Sequence, residues 1–250
     1  MALCKTLAIT LKRSDYSDTS QIVSFYTLDY GRIHVLAKGS KRYKKKFTSV
    51  LDLLTYNEIV FIKRDITRLY TLTEWELIDN FPGLRENLDK FYLASYVAEL
   101  VGEFTEENDR NEKLFELLLN ALRGISLSAG IPAMSVYLLT FEMQMLKLAG
   151  YLPEMIRCVN CENELQLKRY VSFSASKGGV LCEKCQNQSQ ERIAVLPGAI
   201  TAASYLANCD FQRVARLRIQ PSLYADIRRM LKYYISFILN KELRMWKYIS

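Results

Sequence analysis

Two Cys-x2-Cys pairs constrain the fold of this 250-residue chain more than any other feature. Cys158 and Cys161 form the first pair, and Cys182 and Cys185 form the second, with 20 residues between the pairs. In such a pair the chain turns tightly, so that two thiolates point at one ion. Four sulfurs complete a closed tetrahedral site, which leaves no position for a catalytic water. The spacing therefore predicts one structural Zn²⁺ per chain, which ties together a segment with little core of its own.

Two other interpretations of these cysteines stay open: a thioredoxin-like redox pair and an iron–sulfur cluster. A redox pair would not need the second Cys-x2-Cys pair, and Gly178-Gly179 just before that pair is typical of a ribbon turn. Cys4 and Cys209 are left over, and we expect them to pack as small apolar residues. Lys5 and Lys12 interrupt any signal-peptide pattern, so we expect a cytoplasmic protein whose cysteines bind metal rather than form disulfides.

His34 is the only histidine, and this excludes most enzyme classes. A Ser-His-Asp triad would have to use it, and a His-rich metal site cannot form. The carboxylates are scattered, and none forms a convincing pair for acid–base work or for a nuclease metal. We therefore predict that the protein is not an enzyme. The charge-free stretches 124–141 and 193–209 contain Pro, Gly, Ser and Thr, so we expect buried helices there and no membrane contact.

The first 80 residues have the pattern of short β-strands. Leu7, Ile9 and Leu11 alternate with smaller residues, which is the period of a half-buried strand. Asp29-Tyr30-Gly31 marks a tight turn. Five strand candidates follow without an intervening helix: 6–11, 22–28, 33–37, 58–62 and 69–73. This count predicts a small closed barrel, of which the OB-fold is the commonest five-stranded form.

From Gly83 onwards the apolar residues follow a helical period. The first predicted stripe contains Leu84, Leu88, Phe91 and Leu100. Asp109 and Glu112 predict a capping box at the start of the next helix. Three later helices are expected to begin near prolines, namely Pro132 (ending at Gly150), Pro197 and Pro221 (running toward Trp246).

These patterns together predict an α+β chain with three parts. An N-terminal five-stranded OB-fold barrel occupies residues 1–80, and an all-helical domain occupies 81–157 and 193–250. A Cys4 zinc module over 158–192 is inserted in the helical domain. The net charge of +7 is uneven: these parts carry +4, then −4 and +6 in the two helical stretches, and +1 in the module.

The basic residues form two groups that could bind nucleic acid. The first spans residues 38–46, with six cations and no acid, directly after the third strand candidate. In an OB-fold, basic residues neutralise phosphates and aromatics stack on bases, so Tyr43 and Tyr26 could stack. The second group, Arg213, Arg216 and Arg218, could lengthen the stretch of DNA that the protein contacts, or it could only keep the outer faces of helices in water. The predicted DNA contacts are Arg32, Lys38, Lys41, Arg42, Tyr43, Lys44, Lys45, Lys46, Arg213, Arg216 and Arg218.

Three segments, in this order and spacing, resemble the bacterial RecO family of DNA repair and recombination proteins. They are Phe25-Tyr26-Thr27-Leu28-Asp29-Tyr30-Gly31-Arg32-Ile33 continuing to Gly39, Phe141-Glu142 with Gly150-Tyr151-Leu152-Pro153 before the first cysteine pair, and Gly178-Gly179-Val180-Leu181-Cys182. The resemblance implies an OB-fold, a helical domain and an inserted structural zinc module. The Lys44-Lys45-Lys46 run is richer in lysine than the commoner family version.

The resemblance also implies a function and partners. Members bind single- and double-stranded DNA, anneal complementary strands, and work with RecR and often RecF to load RecA onto DNA. That DNA is coated by single-strand-binding protein, whose acidic-hydrophobic C-terminal tail they contact. A cytoplasmic, nucleoid-associated location follows. Two alternatives remain from the residues themselves: a zinc-ribbon nucleic-acid scaffold and a metal-dependent nuclease.

Overall fold

The computed structural model describes residues 2–40, 51–63, 69–165, 170–189 and 191–249. Five strands come first: β1 (Ala2–Asp15), β2 (Gln21–Thr27), β3 (Gly31–Ala37), β4 (Tyr56–Lys63) and β5 (Leu69–Asp79). They form a closed barrel in the order β1-β2-β3-β5-β4. Neighbouring strands are antiparallel, except for the parallel pair β3 and β5. The predicted five-stranded, OB-like barrel is therefore confirmed.

The barrel closes because alternate residues of each strand pack into one core. β3 shows this best, since Ile33, Val35 and Ala37 are buried there while the residues between them are half-buried. On β1 the predicted alternation is wrong. Ala8 lies in the barrel core and Ile9 lies on the outer face, yet both are fully buried, because helices also cover the outside of the barrel at this end.

Three helices follow the barrel: α1 (Pro82–Glu86), α2 (Leu88–Phe104) and α3 (Glu112–Leu127). The predicted stripe through Leu84 and Leu88 is wrong, because Asn87 is extended and interrupts the helix. Leu84 is buried, whereas Leu88 is largely exposed. The side chain of Asn87 instead caps α2 by accepting a hydrogen bond from the backbone N–H of Lys90.

The start of α3 also differs from the prediction. The Asn111 side chain accepts a hydrogen bond of 3.0 Å from the backbone N–H of Leu114, so Asn111, and not Asp109, is the capping residue. Asn and Asp are nearly equal as helix caps, and a pattern containing both within three residues could not separate them. The segment before the cap folds back onto β3, where the Asn108 N–H donates to Arg32 O.

The remaining elements are α4 (Ile131–Leu148), β6 (Val171–Ser174), β7 (Gly179–Leu181), β8 (Ile193–Val195), α5 (Pro197–Leu206), α6 (Pro221–Leu239) and 3-10 helices at Gln186–Gln188, Phe211–Arg216 and Arg244–Tyr248. The three strands form an antiparallel sheet in the order β7-β6-β8. Pro132, Pro197 and Pro221 lie in the first turns of α4, α5 and α6, as predicted. Asn240, with a φ of 49°, ends α6 before Trp246.

The chain packs as two compact units, Met1–Leu127 with Lys247–Ser250, and Ser128–Trp246. The first contains the barrel with α1 to α3, and the second contains α4 to α6 with the small sheet. The three-part domain division at residues 80, 157 and 192 stays a prediction. A helix able to cross a membrane is not found in the described part of the chain, where none combines the required length and apolarity.

Candidate metal centre and nucleic-acid interface

The four cysteines of the two Cys-x2-Cys pairs lie in one cluster of the second unit. Cys158 and Cys161 precede β6, and Cys182 and Cys185 follow β7. All four Sγ atoms lie within 4.8 Å of one another, and those of Cys161 and Cys182 are 3.7 Å apart. A tetrahedral site with metal–sulfur bonds of about 2.3 Å has sulfur–sulfur edges of roughly 3.8 Å. The cluster therefore has the dimensions of a four-sulfur metal site.

Backbone hydrogen bonds hold the two pairs together. In each pair the carbonyl of the first cysteine accepts a hydrogen bond that closes the turn. The Glu162 N–H donates to Cys158 O, and the Cys185 N–H donates to Cys182 O. The N–H of Val159 donates to Val180 O at 3.0 Å and so ties the first pair to β7. Gly179 is needed here, since a Cβ at this position would lie 2.4 Å from the carbonyl oxygen of Glu154.

The environment of the thiols favours metal binding. Burial raises the pKa of Cys158, but backbone N–H groups around it, including that of Cys161, outweigh burial and lower the pKa to about 6. At Cys185 a hydrogen bond from Asn160 lowers the pKa, yet burial and the three neighbouring thiols raise it to about 12. Four thiolates this close repel one another, and a dication removes that repulsion. The donor set therefore fits a metal ion.

The basic segment, residues 38–46 after β3, is only partly described by the structure. Lys38 is exposed at the end of β3. The predicted contacts Lys41, Arg42, Tyr43, Lys44, Lys45 and Lys46 lie outside the described residues. The suggestion that Tyr26 stacks on a base is wrong, because its ring is fully buried and its hydroxyl donates to Asn111 O at 3.4 Å.

Arg32 lies on the outer face of the barrel but already has a partner within the chain. Its Nη2 donates a hydrogen bond of 2.8 Å to the carbonyl of Thr105, just after α2. The backbone N–H of Asn108 donates to Arg32 O, and Tyr70 donates to the side chain of Asn108. This segment, residues 105–109, fastens the helices to the barrel. The sequence does not predict this contact, although the polar run Glu106–Asn111 is a loop signal.

His34, also on β3, contacts the same segment. Its Nε2 lies 3.3 Å from Glu107 Oε1. Burial lowers the pKa of His34, and the positive charges of Arg32 and Lys12 lower it further, while Glu107 opposes them. His34 therefore has a structural contact with the 105–109 segment.

The C-terminal arginines lie in the second unit. Arg213 and Arg216 are exposed on the short helix Phe211–Arg216, which is anchored by the buried side chain of Val214. Arg218 is also exposed, and its Nη1 donates to the carbonyls of Ala215 and Leu217. All three guanidinium groups are thus on the surface, and their role in DNA binding stays a prediction.

The fold and site define a class of proteins in which an OB-like barrel, a fold that binds oligonucleotides or oligosaccharides, is joined in one chain to a four-cysteine cluster that could hold a metal ion. The comparisons with known proteins narrow this class. The family model "Recombination protein O N terminal" matches residues 1–81, and "Recombination protein O C terminal" matches residues 85–247. The chain belongs to the RecO family.

Individual relatives support the same assignment. The chain is similar to the DNA repair protein RecO of Pelotomaculum thermopropionicum, with 32% identity over all of this chain and 94% of the relative. It is 29% identical to that of Bacillus pumilus (99% of this chain, 94% of the relative) and 26% to that of a Thermoanaerobacter species (100% and 98%). The match therefore covers both units from end to end.

Proposed function

We propose that this protein binds single- and double-stranded DNA without sequence preference, anneals complementary strands and assists the loading of RecA onto coated single-stranded DNA. One observation carries the proposal: a RecO-family match over the whole chain coincides with a closed OB-like barrel whose β3 leads through exposed Lys38 into the basic segment. The partners proposed with it are RecR, the tail of single-strand-binding protein, RecF and RecA, at the bacterial nucleoid in the cytoplasm.

The mechanism needs no covalent chemistry. Lysine and arginine side chains displace counterions from two phosphate backbones and so lower the repulsion between strands. Weak base recognition is useful, because strands must slide to find their register. The proposed contacts differ in their contribution to DNA affinity. Lys38 and residues 41–46 contribute most, and Arg213, Arg216 and Arg218 contribute less. Arg32 contributes least, because it already binds the Thr105 carbonyl.

We further propose that the metal is Zn²⁺, one ion per chain, held by Cys158, Cys161, Cys182 and Cys185. Its contribution would be structural: four sulfurs fill its tetrahedron, so no position is left for water or substrate. Contacts within the chain bring the two cysteine pairs together: the Val159 N–H donates to Val180 O, and Gly179 allows the close approach of Glu154.

The basic segment is tested by the variant K44A/K45A/K46A. Three lost phosphate contacts should weaken DNA binding and lower the magnitude of the slope of log affinity against log salt by about 2 to 3. The matched control K113A/K177A/K241A changes the net charge equally outside the basic segment. Equal slopes for both variants would contradict the assignment of the segment.

Annealing itself is tested with fluorescently labelled complementary strands, bare or coated by single-strand-binding protein. The wild-type chain is expected to accelerate pairing of both. Cleavage of DNA in Mg²⁺ would favour a nuclease instead, and binding without acceleration, with a preference for RNA, would favour a nucleic-acid scaffold.

A further inference from the structure

Part of the barrel's outer surface presents apolar side chains to solvent. On β4, Ile59 and Phe61 point into the barrel core, so Glu58, Val60 and Ile62 point outward. On β5, Trp75 points inward, so the residues on either side of it point outward. The outward residues of β1, β4 and β5 form what we call the β1–β4–β5 face: Leu3, Lys5, Glu58, Val60, Ile62, Glu74, Glu76 and Ile78.

Strand pairing makes this face continuous. Leu3 lies opposite Ile62, and Lys5 opposite Val60, across the β1–β4 pair. Val60 in turn lies opposite Glu74 across β4 and β5. Leu3, Val60 and Ile62 therefore form one apolar group across β1 and β4, with Glu74 beside it on β5. A contiguous apolar group rimmed by polar residues is the arrangement that marks an interaction surface.

One end of the same outer surface is already used for packing within the first unit. Ile9 is fully buried there, and the ring of Tyr56 lies 6.3 Å from that of Phe115 of α3. Away from this end, Leu3 is 71% exposed. Ile78 lies at the edge of the covered end, next to Asp79, which pairs with Tyr56, and is 49% exposed. In the described part of the chain, Leu3 thus presents to solvent the kind of apolar side chain that is buried at the other end of this surface.

The charge of the face indicates what could cover it. Three glutamates stand against one lysine, in a chain whose net charge is +7. Lys5 donates to Glu58 at 2.7 Å. This hydrogen bond raises the pKa of Lys5, and Glu76 and Glu74 raise it further. The strand pairing places Val60 between Lys5 and Glu74, and Glu58 opposite Glu76. A surface of this sign repels phosphate and attracts lysine and arginine.

We propose that the β1–β4–β5 face is a protein-docking surface, and that its partner presents apolar side chains flanked by Lys or Arg. Leu3, Val60 and Ile78 would be buried on binding, while Glu74 and Glu76 would set the orientation. Nucleic acid is excluded by charge, so the barrel would bind DNA through its basic segment and protein through this face.

The test reverses the charge with the variant E74K/E76K. The control E86K/E116K changes two exposed glutamates on α1 and α3 and gives the same net charge. The probe is purified RecR, so this arm rests on the proposed function. E74K/E76K should weaken RecR binding by about tenfold or more, because like charges would then face each other, and the control should not. DNA affinity should be the same in both variants.

Equal RecR affinity for wild type, E74K/E76K and the control would overturn the docking surface and leave the proposed function intact. If RecR does not bind the wild-type chain, the partner in the proposed function fails. The docking surface is then tested by the binding of two labelled peptides, one of alternating Leu and Lys and one of alternating Leu and Glu. The wild-type chain should bind only the Leu/Lys peptide, and E74K/E76K should no longer bind it. Equal binding of the two peptides would overturn the proposal. Self-association that E74K/E76K alone abolishes would assign the face to a second copy and also overturn it.

Discussion

Arg228 and Glu142 form an ion pair inside the second unit. Arg228 Nη1 donates to Glu142 Oε1 at 2.6 Å, and the side chains are 14% and 0% exposed. Glu142 lies on α4 and Arg228 on α6, so the contact joins two helices distant in sequence. A carboxylate removed from water is costly unless a cation and hydrogen bonds compensate it.

Removing the Arg228 side chain should therefore lower the stability of the fold strongly. We predict that Arg228→Met lowers the free energy of unfolding by about 3–5 kcal/mol, because the Glu142 carboxylate stays buried without the Arg228 charge. Urea denaturation followed by circular dichroism measures the change. The double variant Glu142→Leu/Arg228→Met should recover most of the loss, since apolar packing can replace a buried pair. A single variant as stable as the wild type would contradict this account.

His34 gives a pH dependence that can be read without interference, because it is the only histidine. Burial and nearby cations hold its pKa below the ordinary 6.5. The unfolded chain then binds a proton before the folded chain does, so the His34 contribution lowers stability as pH falls through about 6.5 and vanishes well above it. The single imidazole resonance in proton NMR should titrate below 6.5. His34→Gln should flatten the stability curve near that pH, and a midpoint above 6.5 would contradict the prediction.

At the scale of elements, we expect the segment that carries the four cysteines to depend on the proposed ion more than on a core of its own. Its sheet has strands of three and four residues, which is short for independent stability. We predict that Cys158→Ser lowers metal content from one zinc per chain and lowers the melting temperature together with it. Cys209→Ser, a cysteine outside the cluster, is the control and should keep both. Full zinc content in Cys158→Ser, measured by elemental analysis, would contradict a four-sulfur site.

How much of these elements the sequence predicts depends on how local the signal is. The five strands, the proline-initiated helices and the meeting of four cysteines rest on short patterns, and the structure confirms them. Long-range contacts could not be read from such patterns. The burial of Tyr26 and the bond from Arg32 to Thr105 both depend on the 105–111 segment, which reaches the barrel through folding. A sequence pattern shows that a residue is basic or aromatic, but not whether another part of the chain already uses it.

At the scale of the whole molecule, the charge is distributed so that each unit has its own basic group. Residues 38–46 belong to the first unit, and Arg213, Arg216 and Arg218 belong to the second. Annealing requires two strands to be held, whereas binding requires only one. If the two groups hold different strands, loss of either group should impair annealing more than it impairs binding.

This difference gives a direct test with R213A/R216A/R218A beside K44A/K45A/K46A. We predict that the arginine variant keeps most of its affinity for a single strand, since the primary segment is intact, but anneals complementary strands several-fold more slowly. K44A/K45A/K46A should lose both its affinity for a single strand and its annealing activity. Fluorescence anisotropy measures binding and strand-pairing fluorescence measures annealing, at several salt concentrations because each phosphate contact is salt-dependent. If the arginine variant anneals as fast as wild type, the second group only solvates its helix, and a single basic segment must serve both strands in turn.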